Sequence, residues 1–277
     1  MSQRNNIYYI KQQNKILSKV LDKFRIFTSK INYLATKIRY IGNRWERRYV
    51  NIQDLVGGSD VWEEVGRRVF NFLLQVGLKP NSTVLDADCG SFRIGRFLIN
   101  YLDSGCYSGF DGSRYLLTGG IRQVLSKECN LDEKKIKVRH IFIKDKPIDL
   151  FKKFNQKYDL ILAHAIFDHL PSGSIKAFLQ SFTYVMYAKT KIYASFFLNP
   201  YREDYKEPIK RLRRGKEEGS ILTYPAREYW HHTPQFFQKI CDEINNTISR
   251  VKIRYVKYYD FDYPFDGLKI GEFEAVL

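Results

Sequence analysis

Residues 83–111, TVLDADCGSFRIGRFLINYLDSGCYSGFD, decide the fold. Thr83–Asp86 is a short β-branched, apolar run ending on an acid, followed by a turn rich in small residues around Gly90. A helical apolar stretch then leads to a second run, Cys106–Phe110, which closes on Asp111. Strand, glycine turn, helix and strand make a right-handed crossover in a parallel sheet. In such sheets ligands lie outside the carboxyl ends of the strands. A glycine in the first turn lets the backbone approach a ligand and adopt conformations closed to other residues. Asp111, 25 residues after Asp86, stands where a carboxylate accepts hydrogen bonds from both hydroxyls of a ribose. The pattern predicts a nucleoside ligand. Two blander roles stand beside it: Asp86 satisfying turn amides, and Asp111 as an ordinary strand-end acid.

Outward from this stretch the same alternation continues. Val61–Val76 reads as a helix closed by Gly77 and Pro80, and strand-like runs recur at Lys137–Phe142, Tyr158–Ala163 and Lys191–Leu198. Helical stretches between them predict crossovers and a sheet covered on both faces. Arg250–Tyr258 alternates, turns near Tyr263-Pro264 and Asp266-Gly267, and re-enters as Leu268–Leu277, a terminal antiparallel hairpin. There is no internal repeat.

The 277 residues suffice for one α/β domain with an appendage, and 44% hydrophobic residues with 27% charged exclude a disordered or low-complexity chain. No apolar run is long enough to span a membrane, and the N-terminus does not read as a signal peptide. Cys89, Cys106, Cys129 and Cys241 are widely spaced, which predicts free thiols and a reducing, cytoplasmic setting. The net charge of +16 is concentrated. Residues 1–50 hold twelve Lys or Arg against Asp22 and Glu46, and residues 206–216 (KEPIKRLRRGK) hold six against Glu207. Leu17, Val20, Phe24, Phe27, Ile31, Leu34, Ile38 and Ile41 form a heptad seam ahead of Gly42, so residues 10–42 are expected to form one basic amphipathic helix. Its seam would pack on its own domain or a second copy; docking at an anionic membrane surface is the sharper reading, with nucleic acid behind both. The expected organisation is a basic extension over 1–50 and a ligand-binding domain over 51–277, with an insert at 199–232.

Residues 84–102, VLDADCGSFRIGRFLINYL, resemble motif I of class I S-adenosylmethionine (SAM) dependent methyltransferases, usually VLDxGCGSGxxG. More narrowly they are similar to the branch that reads GCGSLRxGRxLIxYL followed by YxGxD. YDLILAHAIFDHLP, residues 158–171, is similar to the family's fourth strand and the segment after it. The resemblance covers roughly residues 60–277. It implies a Rossmann-like fold, with a mostly parallel seven-stranded sheet and an antiparallel C-terminal hairpin. It also implies SAM as cofactor, with S-adenosylhomocysteine (SAH) as product. Carried over by position, Asp86 and the Cys89-Gly90-Ser91 backbone would face the methionine end of SAM, with Arg93 in the same motif. Asp111, Gly112 and Ser113 would hold the ribose, Asp145 would contact the adenine amino group, and Ala163 and His164 would border the sulfonium. Asp88 stands where the family has its first glycine and Phe92 where it has its third. Asp88 would either attract the cationic donor or repel its carboxylate.

A hydroxyl acceptor gains from a base near neutral pKa, and His169 is the first candidate, with a structural role in opening the next helix as the equal alternative. His231 and His232 precede a helix that Thr233-Pro234 would start, in a stretch that lines the acceptor pocket of related enzymes; His232 is the second catalytic candidate. Tyr201, Tyr229 and Trp230, with His231 and the nearby basic cluster, suit a sugar ring or a glycan precursor; the blander reading is a charged helix over core aromatics. No metal-ligand pattern stands out, so a metal-independent reaction is expected. The resemblance implies methyl transfer to a hydroxyl of a saccharide, polysaccharide precursor or small metabolite. The alternatives are a catalytically degenerate protein acting through its basic helix, and an RNA methyltransferase.

Overall fold

The computed structural model describes residues 51–56, 59–201, 205–225, 229–248 and 250–276. The basic helix expected over residues 10–42 lies outside the described residues. A 3-10 turn, Ile52–Leu55, precedes helix α1 (Ser59–Gln75). The crossovers are β1 (Val84–Ala87), α2 (Gly95–Tyr101), β2 (Tyr107–Asp111), α3 (Arg114–Gly120), β3 (Lys137–His140), β4 (Leu160–Ala163), α4 (Ser172–Phe182) and β5 (Lys191–Leu198). A hairpin follows, β6 (Ile209–Arg213) and β7 (Lys216–Thr223), then β8 (His231–His232), α5 (Pro234–Asn245), β9 (Lys252–Asp260) and β10 (Leu268–Val276).

The main sheet runs β3-β2-β1-β4-β5-β10-β9. Strands β1 to β5 are parallel, and β10 enters antiparallel between β5 and β9. Those seven strands are the ones the sequence predicts; the two-residue β8, paired parallel to β5, is an eighth.

Period-two alternation sorts the strand residues onto two faces. Leu85, Ala87, Ile161, Ala163, Ile192 and Phe196 join one core, covered by Ile175, Phe178 and Leu179 of α4 and Phe237, Ile240 and Ile244 of α5. Val84, Leu160, Leu162 and Tyr193 face the other core, covered by Trp62, Val65, Val69 and Phe72 of α1, which recur at helical spacing. Helix α5 starts as expected: Thr233 accepts from the Phe236 amide at 3.2 Å, with Pro234 in the first turn.

The insert departs from the charged-helix reading, because β6 and β7 form an antiparallel hairpin. Its turn is Arg214-Gly215, both left-handed (φ 51 and 72), which suits a two-residue hairpin turn. The buried Arg211 clamps the hairpin to the sheet: its Nε donates to Thr223 Oγ1 at 3.2 Å and its Nη2 to the Leu198 carbonyl. The amide of Arg214 donates to the Pro264 carbonyl at 2.7 Å, joining the hairpin to the β9–β10 loop. Among the described residues no helix is long and apolar enough to cross a membrane.

The turn after β1 is held by close packing. A Cβ on Gly120 would lie 2.7 Å from Phe92 Cδ2 and 2.8 Å from Ser91 Cα. Gly120→Ala is therefore expected to cost about 2 kcal/mol through overpacking against backbone that cannot yield. Chemical denaturation checks this; wild-type stability in the variant would mean the turn moves freely.

Candidate functional site

Of the four glycine positions in the quoted motif, Gly95 is kept, and the first three, 88, 90 and 92, are all left-handed here: Asp88 (φ 55), Gly90 (φ 57) and Phe92 (φ 65). Only one of those three is a glycine. Aspartate tolerates this region better than most residues, whereas a bulky aromatic there costs on the order of 1–3 kcal/mol. Phe92 is held by its burial, against Gly95 and Gly120, where it occupies the space that side chains would fill. The chain thus keeps the backbone course of a glycine turn with two side chains added. Gly95 has a second use, since a Cβ there would lie 2.5 Å from the Tyr107 hydroxyl. That hydroxyl donates to Asp86 Oδ2 at 2.9 Å.

This turn borders a cleft of 590 Å³ outside the ends of β1, β2 and β4. Asp86, Asp88, Cys89, Gly90, Arg93, Asp111 and His164 of the predicted cofactor residues line it. Asp111 ties the turns together, accepting from the Gly90 amide at 2.9 Å and from the Ser113 amide at 2.5 Å. The side chain of Ser113 caps α3, accepting from the Leu116 amide. Ser91 and Ala163 are buried in the surrounding structure and Gly112 packs beneath Phe142. Asp145 accepts from Ser174 Oγ at 2.9 Å, at the start of α4, and does not line the cleft.

Burial raises the acids of the site. Asp86 is pushed up to about 7 by desolvation, which the Tyr107 hydrogen bond only partly offsets and the Asp111 charge reinforces. Asp88 is pushed up to about 7 by the protein wall around it and then by its closeness to Asp111. Water reaches the exposed face of Asp88 and screens the pair in part. Asp111 is raised by burial, against the pull of its two amide donors.

The opposite wall carries Arg93, His164, Asp168 and His169. Arg93 Nη2 contacts His164 Nδ1 at 3.4 Å and its Nη1 donates to the Val56 carbonyl at 3.4 Å. A guanidinium only donates, so His164 Nδ1 accepts and its Nε2 carries the proton. Burial and the Arg93 charge hold His164 neutral, with its pKa well below the usual value. Arg93 Nε, His164 Nε2 and Asp168 Oδ1 are buried polar atoms with no protein partner. His169 Nε2 lies 3.3 Å from Asp168 Oδ2, and its ring sits 4.9 Å from that of Tyr229, which also lines the cleft.

The other acceptor-side residues lie elsewhere. His232 is buried, with Nε2 on the Phe167 carbonyl at 3.2 Å and its ring on Phe236; burial lowers its pKa to about 4. His231 is buried against Thr223 Oγ1 at 3.1 Å and is lowered to about 4 for the same reason. Tyr201 and Trp230 do not line the cleft; Tyr201 is exposed and stacks near Tyr205, with ring centroids 4.2 Å apart. Sequence reasoning missed Asp168, the hairpin wall (Arg213, Gly219, Ile221) and the loop residues Pro264 and Phe265. Asp168 lay in the quoted segment, but nothing in the spacing distinguished it; the wall exists only through long-range docking of β6 and β7.

No protein-family model matches the chain. Among solved structures, the chain is similar to magnesium protoporphyrin IX methyltransferase (ChlM) from Synechocystis PCC 6803 with bound SAH. The TM-score is 0.54 at 14% identity, over 88% of this chain and 99% of that one. It is similar to the CcbJ methyltransferase from Streptomyces caelestis, with a TM-score of 0.52 at 14% identity over 79% and 96%. A third is an S-adenosylmethionine-dependent methyltransferase from Clostridium acetobutylicum ATCC 824, with a TM-score of 0.50 at 12% identity over 87% and 98%. At these identities the likeness shows the fold, a Rossmann-like methyltransferase architecture.

Proposed function

We propose that the chain is a SAM-dependent methyltransferase whose cofactor lies in the cleft at the ends of β1, β2 and β4. The observation that carries this reading is the left-handed turn 88–92 fastened by Asp111 at the edge of that cleft. Its volume lies within the range of small-molecule sites. The donor set also fits the cofactor: an acid at the β2 tip suits two ribose hydroxyls, and unpartnered atoms of Arg93, His164 and Asp168 suit the polar methionine end. Phe142, 67% exposed beside Gly112, offers a flat apolar face for the adenine. SAH bound to the ChlM structure supports the choice of cofactor.

Bound there, SAM supplies an electrophilic methyl group on its sulfonium. Everything else falls to the chain's own residues. The cleft orients an acceptor from the side of the hairpin and the β9–β10 loop, where Arg213, Ile221 and Phe265 stand. Positioning and exclusion of water supply most of the acceleration of such a transfer. His169, in the cleft and beside Asp168, is the base for a hydroxyl acceptor; His232, buried on a carbonyl, is in a poor place to move a proton. The narrower resemblance in motif I supports a saccharide, polysaccharide precursor or similar small metabolite as acceptor.

Calorimetric titration of SAM into the whole chain tests the proposal, with micromolar binding expected. Absence of binding in wild type, restored by Asp88→Gly, would mean that the fold persists without the chemistry.

A further inference from the structure

The cleft is acidic in a chain whose net charge is +16. Asp86, Asp88, Asp111 and Asp168 line it, against the guanidiniums of Arg93 and Arg213, and Arg213 is already paired with Asp60 at 2.7 Å. The unusual member is Asp88. It occupies a left-handed position that glycine would fill at no steric cost, and it adds a carboxyl group directly to the cleft.

We infer that Asp88 is a specificity-determining residue that makes the cleft prefer the cationic sulfonium donor over its neutral thioether product. The inference rests on the cofactor reading above.

Asp88 and Asp111 both line the cleft beyond the tips of β1 and β2, where Asp111 is bonded to the Gly90 amide of the turn that carries Asp88, and each bears on the other's charge. Like charges this close do not both ionise readily, so the pair holds a proton that an isolated carboxyl would have lost. The other titratable groups around Asp88 are Asp86 and Cys89 on its own turn and His169 after β4; His140 bears on Asp111 and Arg93 on Asp86. Among these the buried Asp86 stays bonded to Tyr107, whereas Asp88 is open to the cleft. A sulfonium entering beside the pair favours its fully ionised form and expels the proton to solvent. SAH, identical but for the methyl group and the charge, has no such effect. The consequence is that SAM binding strengthens as pH rises toward about 7 and above, SAH binding does not, and product leaves more readily than donor.

The test is calorimetric titration of SAM and of SAH into wild type, Asp88→Asn and Asp88→Gly, at about pH 6 and about pH 8, in two buffers of different ionisation enthalpy. Wild type should prefer SAM by about tenfold at the higher pH, with a smaller preference at the lower. At about pH 6, where the pair still holds its proton, it should also release a proton on binding SAM but not SAH. Both variants should bind the two ligands about equally and release no proton. An unchanged SAM-to-SAH ratio in the variants, or equal proton release with both ligands in wild type, overturns the role of Asp88 while leaving the cofactor site standing. Failure of wild type to bind either ligand, with no rescue by Asp88→Gly, overturns the cofactor reading and this inference with it.

Discussion

Asp111→Ala is expected to weaken SAM binding by at least about 100-fold, the loss of two hydrogen bonds from ribose hydroxyls to a charged acceptor at about 1.5–3 kcal/mol each. A further effect comes from within the protein. Asp111 also accepts from the amides of Gly90 and Ser113, so its removal leaves two donors without their acceptor and loosens the turn on which the cofactor would lie. Asp111→Asn keeps an oxygen for one amide but turns the other position into a donor, so it should fall between wild type and alanine. Titration calorimetry separates the three. Equal affinity in wild type and Asp111→Ala would mean that the ligand does not reach the β2 tip.

The second large effect concerns stability and pH. Asp86 is buried at the floor of the cleft and bonded to Tyr107, and its burial pushes the carboxyl up to about 7 in the folded chain. An unfolded aspartate titrates near 4. Between those values the folded state holds more protons than the unfolded one, so Asp86 withdraws stability as pH rises through the window and its cost is complete above it. The gap between those two values corresponds to about 4 kcal/mol at full extent. Asp86→Asn preserves an acceptor for Tyr107 and cannot ionise. Its stability should therefore exceed that of wild type at about pH 8 by several kcal/mol, with the gap closing toward about pH 4. For a domain of this size, that is on the order of 10 °C in Tm. Carboxylates held low by partners, such as Glu272 beside Lys191 and Tyr259, are common to both proteins and cancel in the comparison. Parallel pH profiles for the two would show that Asp86 is not held protonated by its burial.

The sheet was legible because its signals are local. Strands β1, β2, β4 and β5 are short, largely apolar runs closed by turns, β3 (KVRH) alternates at the sheet edge, and the terminal hairpin alternates cleanly, so strand number and the antiparallel end followed from pattern. The part of the candidate cleft at the tips of β1 and β2 was legible for the same reason, since one crossover carries Asp86, Gly90 and Asp111 to neighbouring strand tips. The wall formed by the β6–β7 hairpin was not. Residues 206–216 read as charge; the left-handed Arg214-Gly215 pair turns them into a hairpin, and long-range contacts of Arg211 with Leu198 and of Arg214 with Pro264 dock that hairpin on the sheet and the β9–β10 loop. His232 stood as a catalytic candidate and His231 as an acceptor contact, yet both are drawn into the sheet as β8, where burial keeps them neutral. No spacing rule distinguishes a histidine beside a cleft from one beneath it. Asp88 and Phe92 illustrate the converse: a motif broken in residue type retains its left-handed backbone, with Phe92 packed against Gly95 and Gly120.

The most direct test of the central claim is a crystal structure of the whole chain grown with SAH. The ribose is expected against Asp111, the adenine beside Phe142 and the amino-acid end toward Arg93 and His164, with residues 88–92 still left-handed. Nucleoside density away from the tips of β1 and β2, or an empty cleft at saturating SAH, would contradict it.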